Sequence, residues 1–156
     1  MGPALRILLA EDNPGDVFLV EEALNRQSIA HEITVVSDGE RAWKSIEAAD
    51  AAGGRAFDLF MLDLNLPVRP GLELLARIRR SRGRISKAPV VIVTSSNSTR
   101  DRNAAARGGA DYYFCKPSKL EEFLKLGPIL EQLWIASTMH FESASSGHSA
   151  ANGKSK

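Results

Sequence analysis

Three carboxylates follow short apolar runs of this chain. Glu11 and Asp12 come directly after Leu5–Ala10, and Asp63 comes after Leu59–Leu62. Runs of this length are typical of buried parallel strands, and open α/β sheets bind ligands outside the carboxyl ends of such strands. Carboxylates gathered there repel one another and raise at least one pKa unless a cation compensates. We expect Mg²⁺, which prefers hard oxygen ligands, rather than zinc, because no Cys or His lies nearby.

Two further polar residues end later apolar runs. Thr94 follows four consecutive aliphatic residues, and Lys116 follows an aromatic run and precedes Pro117. Each residue alone has an ordinary structural explanation, such as a turn or a β-branched strand residue. A hydroxyl and an ammonium beside a metal-bound carboxylate, however, form a phosphoryl-binding site. Asp63 is then the candidate nucleophile, with the metal, Lys116 and Thr94 stabilising charge on the transferred oxygens.

The elements that must position these residues alternate along the chain. Strands are predicted at residues 5–10, 32–36, 58–62, 90–94 and 112–114, and helical patterns begin near residues 14, 40, 71, 99 and 118. This alternation predicts an α/β fold, a doubly wound five-stranded parallel sheet with helices on both faces. We adopt the flavodoxin-like strand order 2-1-3-4-5 by analogy with known sheets of this class. It makes the first and third strands neighbours and brings the three carboxylates to one switch point.

The 156 residues fit one domain, which we place at residues 1–136. Gly127-Pro128 interrupts the last helical pattern and predicts a bent helix. Residues 137–156 are rich in Ser, Ala and Gly, and we expect a disordered tail there. These roughly 20 residues are too few for a separate effector or DNA-binding domain.

Composition excludes some classes of function. The chain is 44% hydrophobic and 25% charged with a net charge of +1, so bulk charge points to neither nucleic acid nor membrane. It has no apolar stretch of membrane-spanning length and no signal-peptide pattern, and its single cysteine excludes an intrachain disulfide framework. A cytoplasmic location is expected. A basic run from Arg77 to Lys87 could contact nucleic-acid phosphates, but a solvated helix end is the favoured interpretation.

Taken in order, the polar residues resemble the signature of response-regulator receiver domains, the phosphoacceptors of two-component signalling. The resemblance covers about residues 4–136. It rests on Glu11-Asp12, Asp63, Thr94 and Lys116-Pro117. Three longer segments resemble the small regulators paired with phytochrome-type histidine kinases: Glu11-Asp12-Asn13-Pro14-Gly15-Asp16-Val17, Asp63-Leu64-Asn65-Leu66-Pro67 and Thr94-Ser95-Ser96-Asn97.

The resemblance implies roles for the acidic residues. Asp63 would accept a phosphoryl group from a kinase phosphohistidine. Asp12 and Asp63 would ligate Mg²⁺, Glu11 would help through water, and Asn65 would contribute its backbone carbonyl. The chain would then be a phosphoacceptor switch rather than an enzyme, catalysing only its own phosphoryl transfer and dephosphorylation.

The resemblance also implies how the signal leaves the site. Thr94 and Lys116 would bind the phosphoryl oxygens. Phosphorylation would draw Thr94 inward and let Tyr113 turn inward, changing the surface of the fourth helix, fifth strand and fifth helix. An ordinary partly buried aromatic residue is the competing interpretation of Tyr113. Asn65 and Ser96 match positions that tune hydrolysis of the acyl phosphate.

Without an effector domain, output must pass through protein–protein contact. The partners would be a sensor histidine kinase of the phytochrome type and an unknown downstream protein. A second copy of the chain is another candidate, meeting at exposed apolar residues of the last helix such as Leu126, Ile129 or Trp134. Helix amphipathicity alone explains most of these residues as core.

Two other classes remain open. A phosphatase of the haloacid dehalogenase type also combines an Asp nucleophile with Mg²⁺, but its nucleophile follows the first strand in an Asp-x-Asp pattern. Sustained turnover of a generic phosphomonoester would identify it. A flavodoxin-like electron carrier needs a Ser/Thr/Gly-rich phosphate loop after the first strand, where this chain has Glu11-Asp12. A colourless purified protein would argue against that class.

Overall fold

Five parallel strands form the sheet in the computed structural model, which describes residues 3–153 and the burial of side chains up to residue 139. The strands are β1 (Leu5–Ala10), β2 (His31–Val36), β3 (Leu59–Leu62), β4 (Val90–Thr94) and β5 (Tyr112–Cys115). Their order is β2-β1-β3-β4-β5, and every neighbouring pair is parallel. The predicted sheet and strand order are therefore confirmed.

Helices cover both faces of the sheet. They are α1 (Pro14–Asn25), α2 (Gly39–Ala51), α3 (Gly71–Arg79), α4 (Thr99–Arg107), α5 (Leu120–Phe123) and α6 (Leu126–Gly153), with a short 3-10 helix at Arg84–Lys87. Two separate apolar clusters show this layering. One joins α2, α3 and α4 to the side chains of one sheet face, and the other joins α1, α5 and α6 to the opposite face.

The central strands are buried on both sides. Every residue of β3 and β4 is buried, as is all of β1 except Arg6, whereas the edge strands β2 and β5 are partly exposed. Full burial of a Leu, Ile or Val side chain contributes roughly 1.5–3 kcal/mol to folding. The near-continuous apolar runs in the sequence are the signature of this double coverage.

Ion pairs cross-link the amino ends of the strands. Asp58, just before β3, is buried and accepts hydrogen bonds from the backbone and side chain of Arg6 and from Arg84. The Arg79 guanidinium donates to the carbonyls of Ala88 and Gly109, just before β4 and β5. These contacts fix the edge of the sheet opposite the three carboxylates.

The last helical region differs from the predicted single bent helix. α5 ends at Phe123 and a new helix begins at Leu126, so Pro128 lies in the first turn of α6. The amide groups in the first turn of a helix have no intrahelical partner. A proline there therefore breaks no helical hydrogen bond and does not kink the helix. Gly127 lies against α1, since a Cβ there would be only 2.5 Å from the carbonyl oxygen of Ala23.

The segment after residue 136 also differs from expectation. The composition predicts a disordered tail, whereas α6 continues as helix to Gly153, and residues 154–156 lie outside the described part of the chain. Extending a helix that has already formed is far less unfavourable than starting a new one, and the alanines of this segment favour the helical conformation. The first turns of α6 are anchored in the core by Leu126 and Leu130, which supplies the nucleus. Among residues 3–153, no helix combines the length and apolarity that a membrane crossing requires.

Candidate functional site

The backbone brings Glu11 and Asp63 side by side. β1 and β3 are neighbours in a register that pairs Ala10 with Leu62, so the next residue of each strand leaves the sheet at the same edge. The Asp63 amide donates to the carbonyl of Ala10 at 3.1 Å, and the Glu11 amide donates to the carbonyl of Val36 at 3.0 Å. Strand hydrogen bonding therefore extends into the site and fixes both acidic residues.

Glu11, Asp12 and Asp63 form a compact oxygen cluster. One carboxylate oxygen from each lies within 4.8 Å of the others, with Glu11 and Asp63 buried and Asp12 exposed. Burial raises the pKa of Glu11, and hydrogen bonds from Lys116 and the amide of Asn13 offset this only partly. An all-oxygen set with one exposed side fits a hard divalent cation that retains water.

Lys116 lies among carboxylates. Its Nζ is 2.7 Å from Oε1 of Glu11, 2.8 Å from Oδ2 of Asp16 and 3.0 Å from Oδ2 of Asp63. An ammonium has three N–H donors, so these contacts can use all of them. Burial alone would lower the pKa of Lys116, but the hydrogen bonds to Asp16, Glu11 and Asp63 outweigh burial and raise it. Lys116 is thus a fixed positive charge beside Asp63.

Asp16 is a member of the site that sequence reasoning missed. It lies in the first turn of α1, where the side chain of the N-cap residue Asn13 accepts its amide at 3.2 Å. The amide of Asn13 in turn donates to Oε2 of Glu11 at 3.1 Å. An acidic residue one helical turn beyond Glu11 and Asp12 was an available signal, but only the fold shows that it reaches Lys116.

Thr94 and Asn65 flank the cluster. Thr94 ends β4, is fully buried, and accepts the amide of Ser96 on its Oγ1 at 3.4 Å. The amide of Lys116 donates to the Thr94 carbonyl at 2.7 Å, which ties β4 to the residue after β5. Asn65 is exposed, and its backbone amide donates to Oδ1 of Asp63 at 3.1 Å. The two oxygens of Asp63 therefore have different partners, since Oδ2 faces Lys116.

The loop between β3 and α3 folds tightly over Asp63. A Cβ on Gly71 would lie 2.3 Å from the carbonyl oxygen of Asp63, so only glycine fits there. Val68 in the same loop has a φ of 74° and is 76% exposed. A β-branched residue in this left-handed region is strained. The loop therefore combines close packing at its ends with a strained, exposed apolar side chain at its tip.

Ser96 and Tyr113 contact each other at the edge of the site. The Tyr113 hydroxyl donates to the carbonyl of Ser96 at 2.9 Å, and the Arg102 guanidinium lies 4.6 Å from the centre of the Tyr113 ring. The Ser96 hydroxyl also donates to the carboxylate of Asp101 in α4. Sequence reasoning identified Ser96 and Tyr113 but missed Arg102 and Asp101, whose contacts depend on how α4 packs.

The residues considered for a dimer face belong to the core. Leu126 is fully buried, and Ile129 and Trp134 pack against the apolar cluster between the sheet and α1, α5 and α6. The core interpretation is therefore confirmed for Leu126, whereas Ile129 and Trp134 pack against the core and remain partly exposed. Among the residues of α6 up to 139, whose side-chain burial the structure describes, the exposed large apolar side chains are instead Ile135 and Met139, which are 49% and 63% exposed.

The basic run contributes to the fold. Arg77 pairs with Asp50 at 3.2 Å and so joins α3 to α2. Arg79 holds the loops before β4 and β5, and Arg84 pairs with the buried Asp58. Three of its cations are thus occupied by contacts within the domain.

Fold and site together define a receiver domain. The family model for the response regulator receiver domain matches residues 7–126, and the chain belongs to that family. Response regulator Rcp1 of Synechocystis is 31% identical over 85% of this chain and 90% of its own length. The position of Asp63 also favours a receiver domain over a phosphatase. The phosphatase nucleophile follows the first strand, whereas Asp63 follows the third.

Solved structures agree with this assignment. The phosphorylated cyanobacterial phytochrome response regulator RcpA is 30% identical, with a TM-score of 0.73 over 86% of this chain and 96% of that chain. The Mn²⁺-bound form of Rcp1 is 31% identical, with a TM-score of 0.71 over 83% of this chain and 94% of that one. Receiver domains act as phosphoacceptor switches paired with histidine kinases, and this chain shares their fold and family.

Proposed function

We propose that Asp63 accepts a phosphoryl group from the phosphohistidine of a sensor histidine kinase of the phytochrome type. The observation that carries this proposal is the placement of Asp63, whose Oδ2 lies 3.0 Å from Lys116 Nζ and which shares one oxygen cluster with Glu11 and Asp12. A carboxylate between a cation-binding cluster and a fixed ammonium suits attack on an anionic phosphoryl group. Similarity to phosphorylated RcpA supports the phytochrome pairing.

The resident cation is proposed to be Mg²⁺, held by Asp12 and Asp63, with Glu11 acting through water and Asn65 through its backbone carbonyl. The donor set of this chain fits, because the cluster consists of carboxylates alone and Asp12 is open to solvent. The Mn²⁺-bound form of Rcp1, to which this chain is similar, supports the binding of a divalent ion. When bound, the cation neutralises charge on the carboxylates and phosphoryl oxygens.

The side chains of the chain supply the remaining chemistry. One oxygen of Asp63 forms a bond to phosphorus while the bond from phosphorus to the donor histidine nitrogen breaks, and the imidazole leaves with the electron pair. Lys116 donates to the transferred oxygens, and the Thr94 hydroxyl is proposed as a second donor to them. Asn65 and Ser96, each two residues beyond a site residue, are proposed to tune hydrolysis of the acyl phosphate.

Output is proposed to pass from Thr94 to Tyr113 and then to the surface formed by α4, β5 and α5. Thr94 is linked to Ser96 through the amide of Ser96, and Tyr113 is bonded to the Ser96 carbonyl. A movement of Thr94 toward a phosphoryl group would therefore pull on the residue that holds the Tyr113 hydroxyl. The proposed partners that bind this altered surface are a downstream protein and a second copy of the chain.

Phosphotransfer from a phytochrome-type kinase tests the acceptor. Wild-type protein, Asp63→Asn and Glu47→Gln are incubated with labelled kinase and Mg²⁺. Glu47 is an exposed carboxylate of α2 and serves as the matched control. We expect label on wild type and the control and none on Asp63→Asn. Retained label on Asp63→Asn would refute the acceptor, and sustained hydrolysis of a generic phosphomonoester would favour the phosphatase.

A further inference from the structure

Lys116 has one carboxylate partner that lies outside the cation-binding cluster. Glu11 and Asp63 each contribute an oxygen both to that cluster and to the Lys116 ammonium. Asp16 contacts Lys116 at 2.8 Å but is not one of the three clustered acids, and its side chain is 22% exposed. The three carboxylate contacts of Lys116 are therefore of two kinds.

These two kinds of contact respond differently to the reaction. A cation bound to Glu11 and Asp63 competes with Lys116 for their oxygens, and phosphorylation converts Asp63 into an acyl phosphate. Cation binding therefore weakens the Lys116 contacts with Glu11 and Asp63, and phosphorylation changes the contact with Asp63, whereas the Asp16 carboxylate takes part in neither event. We propose that Asp16 is a positioning residue that anchors Lys116 beside Asp63 throughout phosphoryl transfer. This inference rests on the proposed function of Asp63 as acceptor.

The anchor is itself fixed by the backbone. Asn13 caps α1 by accepting the amides of Gly15 and Asp16, and its own amide is held by Glu11. Asp16 therefore moves with the start of α1, and that start is tied to a cation-binding residue. A long lysine side chain loses much rotamer freedom when it is fixed. Anchoring fixes Lys116 before the phosphoryl group arrives, so the transfer step does not bear that entropic cost.

Asp16 could instead act only as a negative charge in the first turn of a helix, where acids stabilise the amino terminus. The two roles separate in a double-mutant cycle, because an anchor matters only while Lys116 is present. Rates of phosphorylation by phosphoramidate with Mg²⁺ are measured for Asp16→Ala, Lys116→Met and the double variant. Glu21→Ala, which removes one acid from the same helix, is the matched control.

We expect Asp16→Ala to slow phosphorylation about tenfold when Lys116 is present and by less than about twofold in the Lys116→Met background. Asp16→Glu should recover part of the rate, and Glu21→Ala should leave it unchanged. Equal slowing in both backgrounds would overturn the proposal, since Asp16 would then act without Lys116. Asp16→Asn, which is nearly isosteric, replaces the alanine variant if alanine prevents folding.

A second measurement needs no phosphorylation. The ammonium of Lys116, held by three acceptors and largely buried, should give a ¹H–¹⁵N NMR signal protected from water exchange, assigned by its loss in Lys116→Met. We expect this signal to broaden in Asp16→Ala, both with and without Mg²⁺. Its persistence would overturn the anchor. If no donor labels wild type while the signal depends on Asp16, the proposed function fails and the anchoring stands.

Discussion

The hydroxyl of Tyr113 and the backbone carbonyl of Ser96 form a hydrogen bond of 2.9 Å between β5 and the loop that follows β4. The same Ser96 donates its amide to Thr94, so one residue joins the proposed phosphoryl-binding hydroxyl to the aromatic ring. The Arg102 guanidinium lies over the face of that ring. Hydrogen bonding and stacking therefore hold Tyr113 independently of each other.

Tyr113→Phe should remove the hydrogen bond and keep the stacking. We expect the free energy of unfolding to fall by about 0.5–1.5 kcal/mol, the usual net value of one hydrogen bond. Urea denaturation measures it. Tyr112→Phe is the control, because Tyr112 is the more exposed neighbour at 41%. An equal loss of stability in both variants would contradict a specific role for the Tyr113 hydroxyl.

Val68→Asn should stabilise the protein. Asn tolerates the left-handed backbone better than a β-branched residue does, and Val68 is too exposed to lose much burial. We expect a gain of about 0.5–1 kcal/mol in the free energy of unfolding. Val35→Asn on the edge strand β2 is the control and should be destabilising. Loss of stability on changing Val68 would show that its side chain makes a compensating contact.

Gly127→Ala should separate α6 from α1. A Cβ at this position would meet the carbonyl oxygen of Ala23 at 2.5 Å, and that oxygen belongs to a helix backbone that cannot turn away. Overpacking of this kind costs about 1–3 kcal/mol. Gly83→Ala is the matched control, because nothing lies within 4 Å of its added Cβ and its φ is ordinary. Thermal unfolding of both variants measures the difference.

Mg²⁺ should stabilise the folded chain through Asp12. Free Mg²⁺ at 100 times its Kd raises the free energy of unfolding by about 2.7 kcal/mol when the unfolded chain does not bind it. Asp12→Asn should weaken Mg²⁺ affinity at least about tenfold, because mutating residues that only contact a metal ligand already weakens affinity by about that much. Melting curves across a Mg²⁺ titration measure both effects. Unchanged affinity in Asp12→Asn would remove this residue from the site.

Glu11 should make the stability of the chelator-treated protein fall as pH rises. Its pKa is raised above 4.5 in the folded state, mainly by burial, so the folded chain holds the proton more tightly than the unfolded chain does. Stability is then lost as pH rises from 4.5 through the folded pKa. Urea denaturation across this window should show the decline in wild type relative to Glu11→Gln. If the stability of wild type relative to Glu11→Gln increased with pH instead, the raised pKa of Glu11 would be contradicted.

The central strands and the main acidic cluster could be predicted from sequence because their signals are local. Double burial makes β1, β3 and β4 continuous apolar runs, and residues that directly follow adjacent strands must share an edge. Once the strand order was adopted, Glu11 and Asp63 could only be neighbours. Their proximity follows from topology and requires no knowledge of side-chain conformation.

The contacts that sequence reasoning missed depend on how helices dock. Asp16 reaches Lys116 only because α1 starts at a particular angle, and Arg102 covers Tyr113 only because α4 lies over β5. The sequence predicts a bend within one helix where the structure has a break between α5 and α6, because Pro128 fits both an interior kink and a first turn. Nothing in the spacing of residues distinguishes these cases.

The two rims of the sheet are cross-linked by different residues. Asp58 and Arg79 hold the loops before β3, β4 and β5, whereas at the carboxyl ends Lys116 joins the acids that follow β1 and β3 to the first turn of α1. None of the side chains that hold the amino ends belongs to the acidic cluster of Glu11, Asp12 and Asp63. Substitutions at one rim can therefore change the stability of the sheet without altering the side chains of the site at the other.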